Sequence, residues 1–487
     1  MSELVLDQVR RSEAKVKTTK KMILFKQFLS TIFIFITTAA WTAVCFFKVY
    51  QSADPSGGDG YFYLKQMEWL GTHYSFYHRD YSFIFFPLTI IYKITNSSLL
   101  AFQLLTSFSL FSISTVLGLI FYTYSADWSK NKYWPLFLSC LFALLIGMQD
   151  SLLKLCYEFA KSGLAQALLL LGIYCSIQNH KRLSFLFLAL AAITHKVVAL
   201  FVLLYLVIYF IQNLSSKKKL LVFILGLSFS FILSLFIFPS LFNHIINFFN
   251  HIQLSGVFSL KQNQLISLSL TLLLFLWLMF GVFYIHYLKS PLFYCVLIFG
   301  FIPFLPFFSG YNSEIKNRLF LLSFTFAFVL FASLLSKIKN EKLRLISILL
   351  SLGFLFYNAA QKTHFPWIQA WSQEIQNLDQ LTLYVSPTDE LVTQHGLQFY
   401  IDYKTPIRAR SMVSPERKPK FQIAYNPEFY HLNTKISDEI RQIQILSLGS
   451  NYSLFNFDEF QQLMRWYPIL MHWRNQFQIR PDFIQDY

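Results

Sequence analysis

The stretch QFLSTIFIFITTAAWTAVCFFKVY, residues 27–50, decides how the rest of the chain is interpreted. It is apolar over the length that a helix needs to cross a bilayer, about 20 residues. Residues 1–26 before it are polar and basic, and no small-residue cleavage site accompanies the apolar run. We therefore interpret it as an uncleaved signal anchor with a cytosolic N-terminus, which places the following loop, residues 51–97, on the outer face.

Apolar runs of similar length recur along most of the chain. Of its 487 residues, 55% are hydrophobic and only 14% are charged, whereas about a quarter of the residues in a soluble domain are charged. Together these runs predict an α-helical polytopic membrane protein with about 11 transmembrane helices. After the first, the expected spans are 98–123, 133–148, 162–178, 183–194, 197–212, 220–242, 265–286, 291–308, 319–335 and 342–359.

The segment 82–94 is also apolar, but it is short for a span and Pro87 interrupts it. We interpret it as an interfacial or re-entrant helix. With that choice the most basic loops all fall on the cytosolic side, in agreement with the positive-inside rule. These loops are 129–132, 179–182, 215–219 and 337–344.

The formal charge of +16 does not indicate a nucleic-acid partner, because most basic clusters lie between apolar runs and there set the topology. The cysteines lie in or beside apolar segments without CxxC spacing, so they predict neither a zinc site nor a disulfide framework. Low glycine content and richness in Phe, Ile and Lys favour an AT-rich, bacterial coding sequence. We therefore expect an integral protein of the bacterial plasma (inner) membrane, in contact with membrane lipids, with the endoplasmic reticulum as the second choice.

The last part of the chain contains no spanning run and is more polar than the rest. Here TLYVSP (382–387), PIRARSM (406–412) and KFQIAYN (420–426) have the pattern of short strands, and residues 389–405 have that of a helix. We expect a small α/β domain on the extracytoplasmic side. The expected domains are a cytosolic tail, 1–26, a transmembrane domain, 27–360, and the C-terminal α/β domain, 361–487.

The loop after the first span carries Asp54 and Asp59 among glycines, in SADPSGGDG (52–60). Glycine permits positive φ and close approach of a ligand to the backbone. The amphipathic stretch YFYLKQMEWL (61–70) follows and can rest in the interface plane, which would hold a carboxylate beside the bilayer. The alternative is a solvated turn, in which Asp and Gly are ordinary residues.

Cationic side chains are expected at the same membrane surface. His195 and Lys196 interrupt an apolar region, where an ionisable residue is a candidate for a functional site and the alternative is anchoring of a helix end. Arg318 precedes a long apolar run on the outer side, and a guanidinium suits bidentate phosphate binding, with interface anchoring as the alternative. The remaining candidates are His78 and Arg79 in YHRDY (77–81) and Glu158 between two spans.

A carboxylate with lysine and arginine at one membrane surface fits chemistry on a sugar linked to a polyprenyl phosphate. The acceptor hydroxyl must lose a proton as it attacks the anomeric carbon, which requires a base such as Asp59. A carboxylate also stabilises the oxocarbenium-like state. Cations such as Lys196 and Arg318 would stabilise the phosphate leaving group.

These features resemble the GT-C superfamily of integral-membrane glycosyltransferases, and in general pattern its protein O-mannosyltransferases and lipid A aminoarabinose transferases. The resemblance covers residues 27–360 as architecture. The first loop has Asp-Gly where the family usually has Asp-Glu, and the polar cluster lacks Pro-Pro. The motifs that carry it are GDGYFYL with Asp59, HRDYSFIFFPL, THKVVAL with Lys196 and NRLFLLSF with Arg318.

The resemblance implies transfer of a sugar from a polyprenyl-phosphate donor to a lipid, glycan or protein acceptor, with inversion. Some relatives use a divalent metal ion and others none. The Asp-Gly loop favours the metal-free mode, so we expect no cofactor, with a divalent metal as the alternative. The resemblance implies that Asp59 is the base and that Lys196 and Arg318 contact the phosphate. The other residues implied to lie at the substrate are His195, His78, Arg79, Asp54 and Glu158.

Other functions are possible for a polytopic membrane protein. A transporter or lipid flippase usually has paired halves with interrupted helices and charges at the membrane midplane. The sequence contains no matching halves, and its candidate charges cluster near the outer surface. A third possibility is a non-catalytic membrane scaffold whose outer domain binds partners.

Overall fold

The computed structural model describes most of the chain, in several stretches of residues. These are 28–77, 80–126, 128, 133–213, 268–283, 291–301, 313–361, 371–394, 396–410, 419–426 and 434–466. Most of them are helical. The helices run over Phe28–Tyr50, Gly60–His73, Phe85–Thr95, Ser98–Ser125, Tyr133–Gly147, Asp150–Tyr157, Ala160–Ile177, Lys181–Thr194, Lys196–Asn213, Leu268–Phe283, Pro291–Phe301, Ser313–Leu335, Glu341–Gln361, Trp371–Glu374, Leu378–Tyr384, Leu397–Lys404, Thr434–Gln442 and Phe457–Trp466.

Within these ranges, 4 helices are long and apolar enough to cross a membrane. A further pair, Tyr133–Gly147 and Asp150–Tyr157, meets the same criterion only when taken together, and the two are bent by 64°, which gives up to 5 candidate spans by length and composition. The described residues are therefore mostly helical and include several candidate membrane spans, which is compatible with the expected helical membrane protein. The expected span 220–242 lies outside the described residues, and the number of about 11 spans stays a prediction.

The bend follows from polar side chains that satisfy the backbone where the helix ends. Gln149 donates from Nε2 to the carbonyl oxygens of Leu145 at 2.6 Å and Leu355 at 3.1 Å. Asn358 in turn donates to the Gln149 side-chain oxygen at 2.7 Å. The helix Tyr133–Gly147 therefore covers the expected span 133–148 almost completely, and the bend follows at its end, before the helix Asp150–Tyr157.

The described residues form two compact units. We call the first the helical unit and the second the loop–sheet unit. The helical unit comprises Met1–Cys45, Thr106–Cys156 and Ala160–Phe365. The loop–sheet unit comprises Phe46–Leu105, Tyr157–Phe159 and Pro366–Tyr487. The loop 51–97, which the sequence groups with the transmembrane domain, thus belongs to the same unit as the C-terminal segment.

Aromatic side chains fill the core of the helical unit. Phe121 and Phe142 lie 4.5 Å apart between ring centroids, and Trp277 stacks on Phe331 at 5.2 Å. Such pairs add to the stabilisation from buried area when offset or edge-to-face. Several phenylalanines of the described helices therefore serve internal packing, whereas others are exposed on the helix surfaces.

The loop–sheet unit contains a 5-stranded sheet in the order β2-β1-β3-β5-β4. Strand β1 pairs in parallel with β2 and with the central strand β3, whereas β5 pairs antiparallel with β3 and β4. Every residue of β3 is buried. The strands are β1 Leu391–Val392, β2 Ala409–Arg410, β3 Phe421–Tyr425, β4 Gln444–Ser447 and β5 Tyr452–Asn456.

The expected small sheet is present, but its elements differ in part from the sequence prediction. The strand expected at 382–387 is wrong, because the helix Leu378–Tyr384 covers its first half. Asp379 in the first turn favours that helix through its charge, and the extended Val385 ends it before Pro387. The helix expected over 389–405 is shorter, Leu397–Lys404, since Gly396 with φ 88° separates it from β1.

Candidate functional site

The glycine-rich first loop packs against the backbone at Glu158, within the loop–sheet unit. Gly57 has φ 77°, and a Cβ there would lie 2.8 Å from both the Cα and the carbonyl oxygen of Glu158. Ser56 next to it donates from Oγ to the carbonyl oxygen of Tyr157 at 2.8 Å. Glycine is needed at position 57 because only a residue without Cβ permits both this φ and this approach. Glu158 and the first loop are thus brought together.

Asp54 is the best-connected carboxylate of this loop. It is 2% exposed and accepts a hydrogen bond from the Tyr61 hydroxyl. Ser372 donates to it from Oγ at 2.6 Å and from its backbone N at 3.3 Å. A buried charge is stable only when it is hydrogen-bonded in this way. Asp54 therefore joins the first loop to the C-terminal segment.

The Tyr61 phenol serves as a permanent donor to Asp54. Burial, followed by the hydrogen bond and the charge of Asp54, raises the pKa of Tyr61 far above its ordinary value. Its ring lies 4.9 Å from that of Tyr400 and 5.3 Å from that of Tyr403. The hydroxyl remains protonated at physiological pH, and the aromatic neighbours fix its position.

Replacing Asp54 by Ala should lower the free energy of unfolding of the loop–sheet unit by about 2–3 kcal/mol, because the buried Tyr61 hydroxyl loses its acceptor. Thermal unfolding of the purified protein in detergent measures the change. Ser372→Ala removes only one donor to the same carboxylate and should lower the free energy of unfolding by about 1 kcal/mol. Equal melting temperatures for Asp54→Ala and wild type would contradict this role of Asp54.

Asp59, the expected base, lies at the N-cap position of the helix Gly60–His73, which we call the loop helix. Its side chain is partly exposed and makes no capping hydrogen bond. An acidic side chain at this position is favoured by the positive end of the helix dipole. The geometry thus holds a partly solvated carboxylate at the start of a rigid element.

A cavity of about 370 Å³ opens beside the loop helix, a size in the range of small-molecule sites. Tyr61, Leu64 and Glu68 line it from one face of that helix, as their spacing of three and four residues requires. Hydroxyl, amide, carboxylate and amine groups are all present in its wall. The remaining lining residues are Ala53, Tyr92, Asn96, Ser97, Ser98, Leu99, Tyr403 and Lys404.

Glu68 is a carboxylate that the sequence alone does not indicate as a site residue. It lines the cavity and accepts a 2.7 Å hydrogen bond from the Tyr403 hydroxyl through Oε1. Because Glu68 follows Tyr61 by two helical turns, the two residues lie on the same face of the loop helix. This spacing can be recognised in the sequence. The partner Tyr403 is distant in sequence and could not be found from that pattern.

Two of the expected cationic residues, His195 and Lys196, lie in the helical unit. His195 is a single extended residue, φ −148° and ψ 128°, between the helices Lys181–Thr194 and Lys196–Asn213. It is buried, and its Nε2 lies 3.2 Å from Oγ of Ser162, while Lys196 is exposed. The expected break between two short helices is therefore present.

The other cationic candidates are described less completely. Arg318 lies in the helix Ser313–Leu335, and its side chain is outside the described part of the structure. His78 and Arg79 also lie outside the described residues. Asp54, Asp59 and Glu158 share the loop–sheet unit, whereas His195, Lys196 and Arg318 belong to the helical unit. A common pocket for both groups stays a prediction.

Neither the models of known protein families nor the curated proteins that were compared with this chain give a match. Over the described ranges, no three His, Cys, Asp or Glu side chains are grouped so that they could hold a metal ion.

Proposed function

We propose that this chain is a polytopic membrane glycosyltransferase that moves a sugar from a polyprenyl-phosphate donor to a lipid, glycan or protein acceptor on the outer face of the membrane. The observation that supports it best is a polar cavity beside the ends of two candidate membrane spans. A polyprenyl-linked sugar needs such a place, because its tail stays in lipid while its head group reacts in a polar environment.

The position of the cavity follows from its lining residues. Ala53 follows the candidate span Phe28–Tyr50 by a few residues, and Ser98 begins the candidate span Ser98–Ser125. The side chain of Gln103 donates to the carbonyl oxygen of Val49 at 2.9 Å, which holds the two span ends together. Since the ends of spans lie near a membrane surface, the cavity would lie at that level.

In the proposed reaction, a carboxylate of the first loop takes the proton of the acceptor hydroxyl. The hydroxyl oxygen forms a bond to the anomeric carbon, and the bond from that carbon to the phosphate oxygen breaks with its electron pair. The product is an inverted glycoside and a polyprenyl phosphate. Asp59 is the proposed base, and Lys196 and Arg318 are the proposed contacts of the departing phosphate.

Mass spectrometry of glycans, glycolipids and glycoproteins should show the loss of one sugar modification in cells that lack this chain. The purified protein in liposomes should restore that transfer from a panel of polyprenyl-phosphate sugars. Unchanged glycans, together with translocation of the labelled lipid by the purified protein, would contradict the proposal and favour a lipid flippase.

A further inference from the structure

The wall of the cavity has the chemistry of a site for hydroxyl groups. Glu68 uses Oε1 to accept from Tyr403, and among the described residues its Oε2 has no hydrogen-bond partner. The side chain is partly exposed, so Oε2 can reach a ligand. A carboxylate with one oxygen fixed and the other available is suited to accept hydrogen bonds from a bound hydroxyl.

The neighbour of Glu68 keeps the carboxylate oriented. Burial of the Tyr403 phenol, together with the hydrogen bond to Glu68, raises the pKa of Tyr403 to about 12. Its hydroxyl also lies 3.3 Å from Oγ of Ser98, another cavity residue. Tyr403 is therefore a protonated donor to Glu68 at neutral pH, and this contact limits rotation of the carboxylate.

The charge of the cavity argues against a phosphate as its main ligand. Its described lining contains one carboxylate, Glu68, and one amine, Lys404. Lys404 is exposed, with its Nζ 5.6 Å from the ring centroid of Tyr403. A phosphate site usually offers several donors that are cationic or backbone amides, whereas Glu68 would repel an anion.

We infer that this cavity binds the uncharged sugar ring of a substrate, with Glu68 as a hydrogen-bond acceptor for its hydroxyls and Asn96 as a second polar contact. The inference rests on the proposed function and names a binding site within it. The tyrosines at the cavity offer apolar ring surface to the carbon side of the sugar. Either the donor sugar or a sugar of the acceptor fits this chemistry.

Saturation-transfer difference NMR of the full chain in lipid nanodiscs tests the site directly. The probes are the methyl glycosides of glucose, galactose and mannose, with glucose 6-phosphate as the charged comparison. Wild type should bind at least one neutral glycoside more strongly than the phosphate. Glu68→Gln should weaken that binding by about tenfold, since a hydrogen bond from a hydroxyl to a charged acceptor is lost.

The controls separate loss of binding from loss of folding. Glu459→Gln makes the same chemical change on an exposed helix of the same unit and should leave binding unchanged. Asn96→Gly removes the amide yet tolerates the left-handed backbone of that residue, φ 53°, so it should weaken binding without unfolding. Each variant should elute and melt like wild type.

Equal binding by wild type and Glu68→Gln, preference for glucose 6-phosphate, or no binding of any neutral glycoside would overturn the inference. Once a transfer assay exists, Glu68→Gln should raise one KM more than it lowers kcat, and whether the KM of donor or acceptor rises identifies the source of the sugar. If transfer is never found but Glu68-dependent glycoside binding is, the sugar site stands and the proposed enzymatic function fails.

Discussion

Gly57→Ala should abolish the folded loop–sheet unit at physiological temperature. The new methyl group would meet the backbone of Glu158 at 2.8 Å, and a main-chain neighbour cannot rotate away as a side chain can. Alanine also disfavours the required φ of 77°. The left-handed backbone and the overpacking together should lower the free energy of unfolding by about 3–5 kcal/mol. Thermal unfolding and limited proteolysis of the loop in native membranes measure this loss.

Gly58→Ala provides the matched control for this prediction. A Cβ at Gly58 would meet nothing within 4 Å, and φ at Gly58 is not in the left-handed region. The variant should retain wild-type stability, or gain slightly because the unfolded chain loses freedom. If the two variants melt alike, the close packing of Gly57 on Glu158 does not contribute to the stability of the unit.

Asp59→Asn should lower the proposed sugar transfer by about a hundred- to ten-thousand-fold while the protein remains folded in the membrane. The amide cannot accept the proton of the attacking hydroxyl. Folding should persist because asparagine is as good as aspartate at a helix N-cap, and Asp59 occupies the N-cap position of the loop helix. Transfer from the polyprenyl-phosphate donor, measured in liposomes, gives the result.

Asp379→Asn is the control for the loss of charge. Asp379 is also an acid at the start of a helix, Leu378–Tyr384, in the same unit, and it is exposed. That variant should transfer sugar at the wild-type rate. Near-normal transfer by Asp59→Asn would remove Asp59 from the role of base and leave Glu68, the carboxylate at the cavity, to be tested for it.

The parts of the fold that depend on local sequence could be predicted. Apolar runs indicated helices over 98–123 and 162–178, and helices are found at Ser98–Ser125 and Ala160–Ile177. The interruption at His195 was visible because ionisable residues are costly in an apolar helix. The same approach failed at 382–387, where the β-branched and aromatic residues favour a strand but the chain forms a helix end.

The parts of the site that depend on distant contacts could not be predicted. The sequence indicates that the first loop is special, but it gives no reason to prefer Asp54 over Asp59. That distinction comes from Ser372, which lies 318 residues away in sequence and donates to Asp54. Glu68 was missed for the same reason, since its partner Tyr403 is separated from it by 335 residues.

The loop–sheet unit is discontinuous in sequence, and this has a consequence for biosynthesis. The loop around Asp54 leaves the ribosome long before the segment that contains Ser372, and domains fold only once their parts have been made. A nascent chain that stops before residue 371 therefore cannot form the contact that buries Asp54. Asp54 can therefore meet Ser372 only late in synthesis, and a chain truncated before that point leaves this carboxylate without both Ser372 donors.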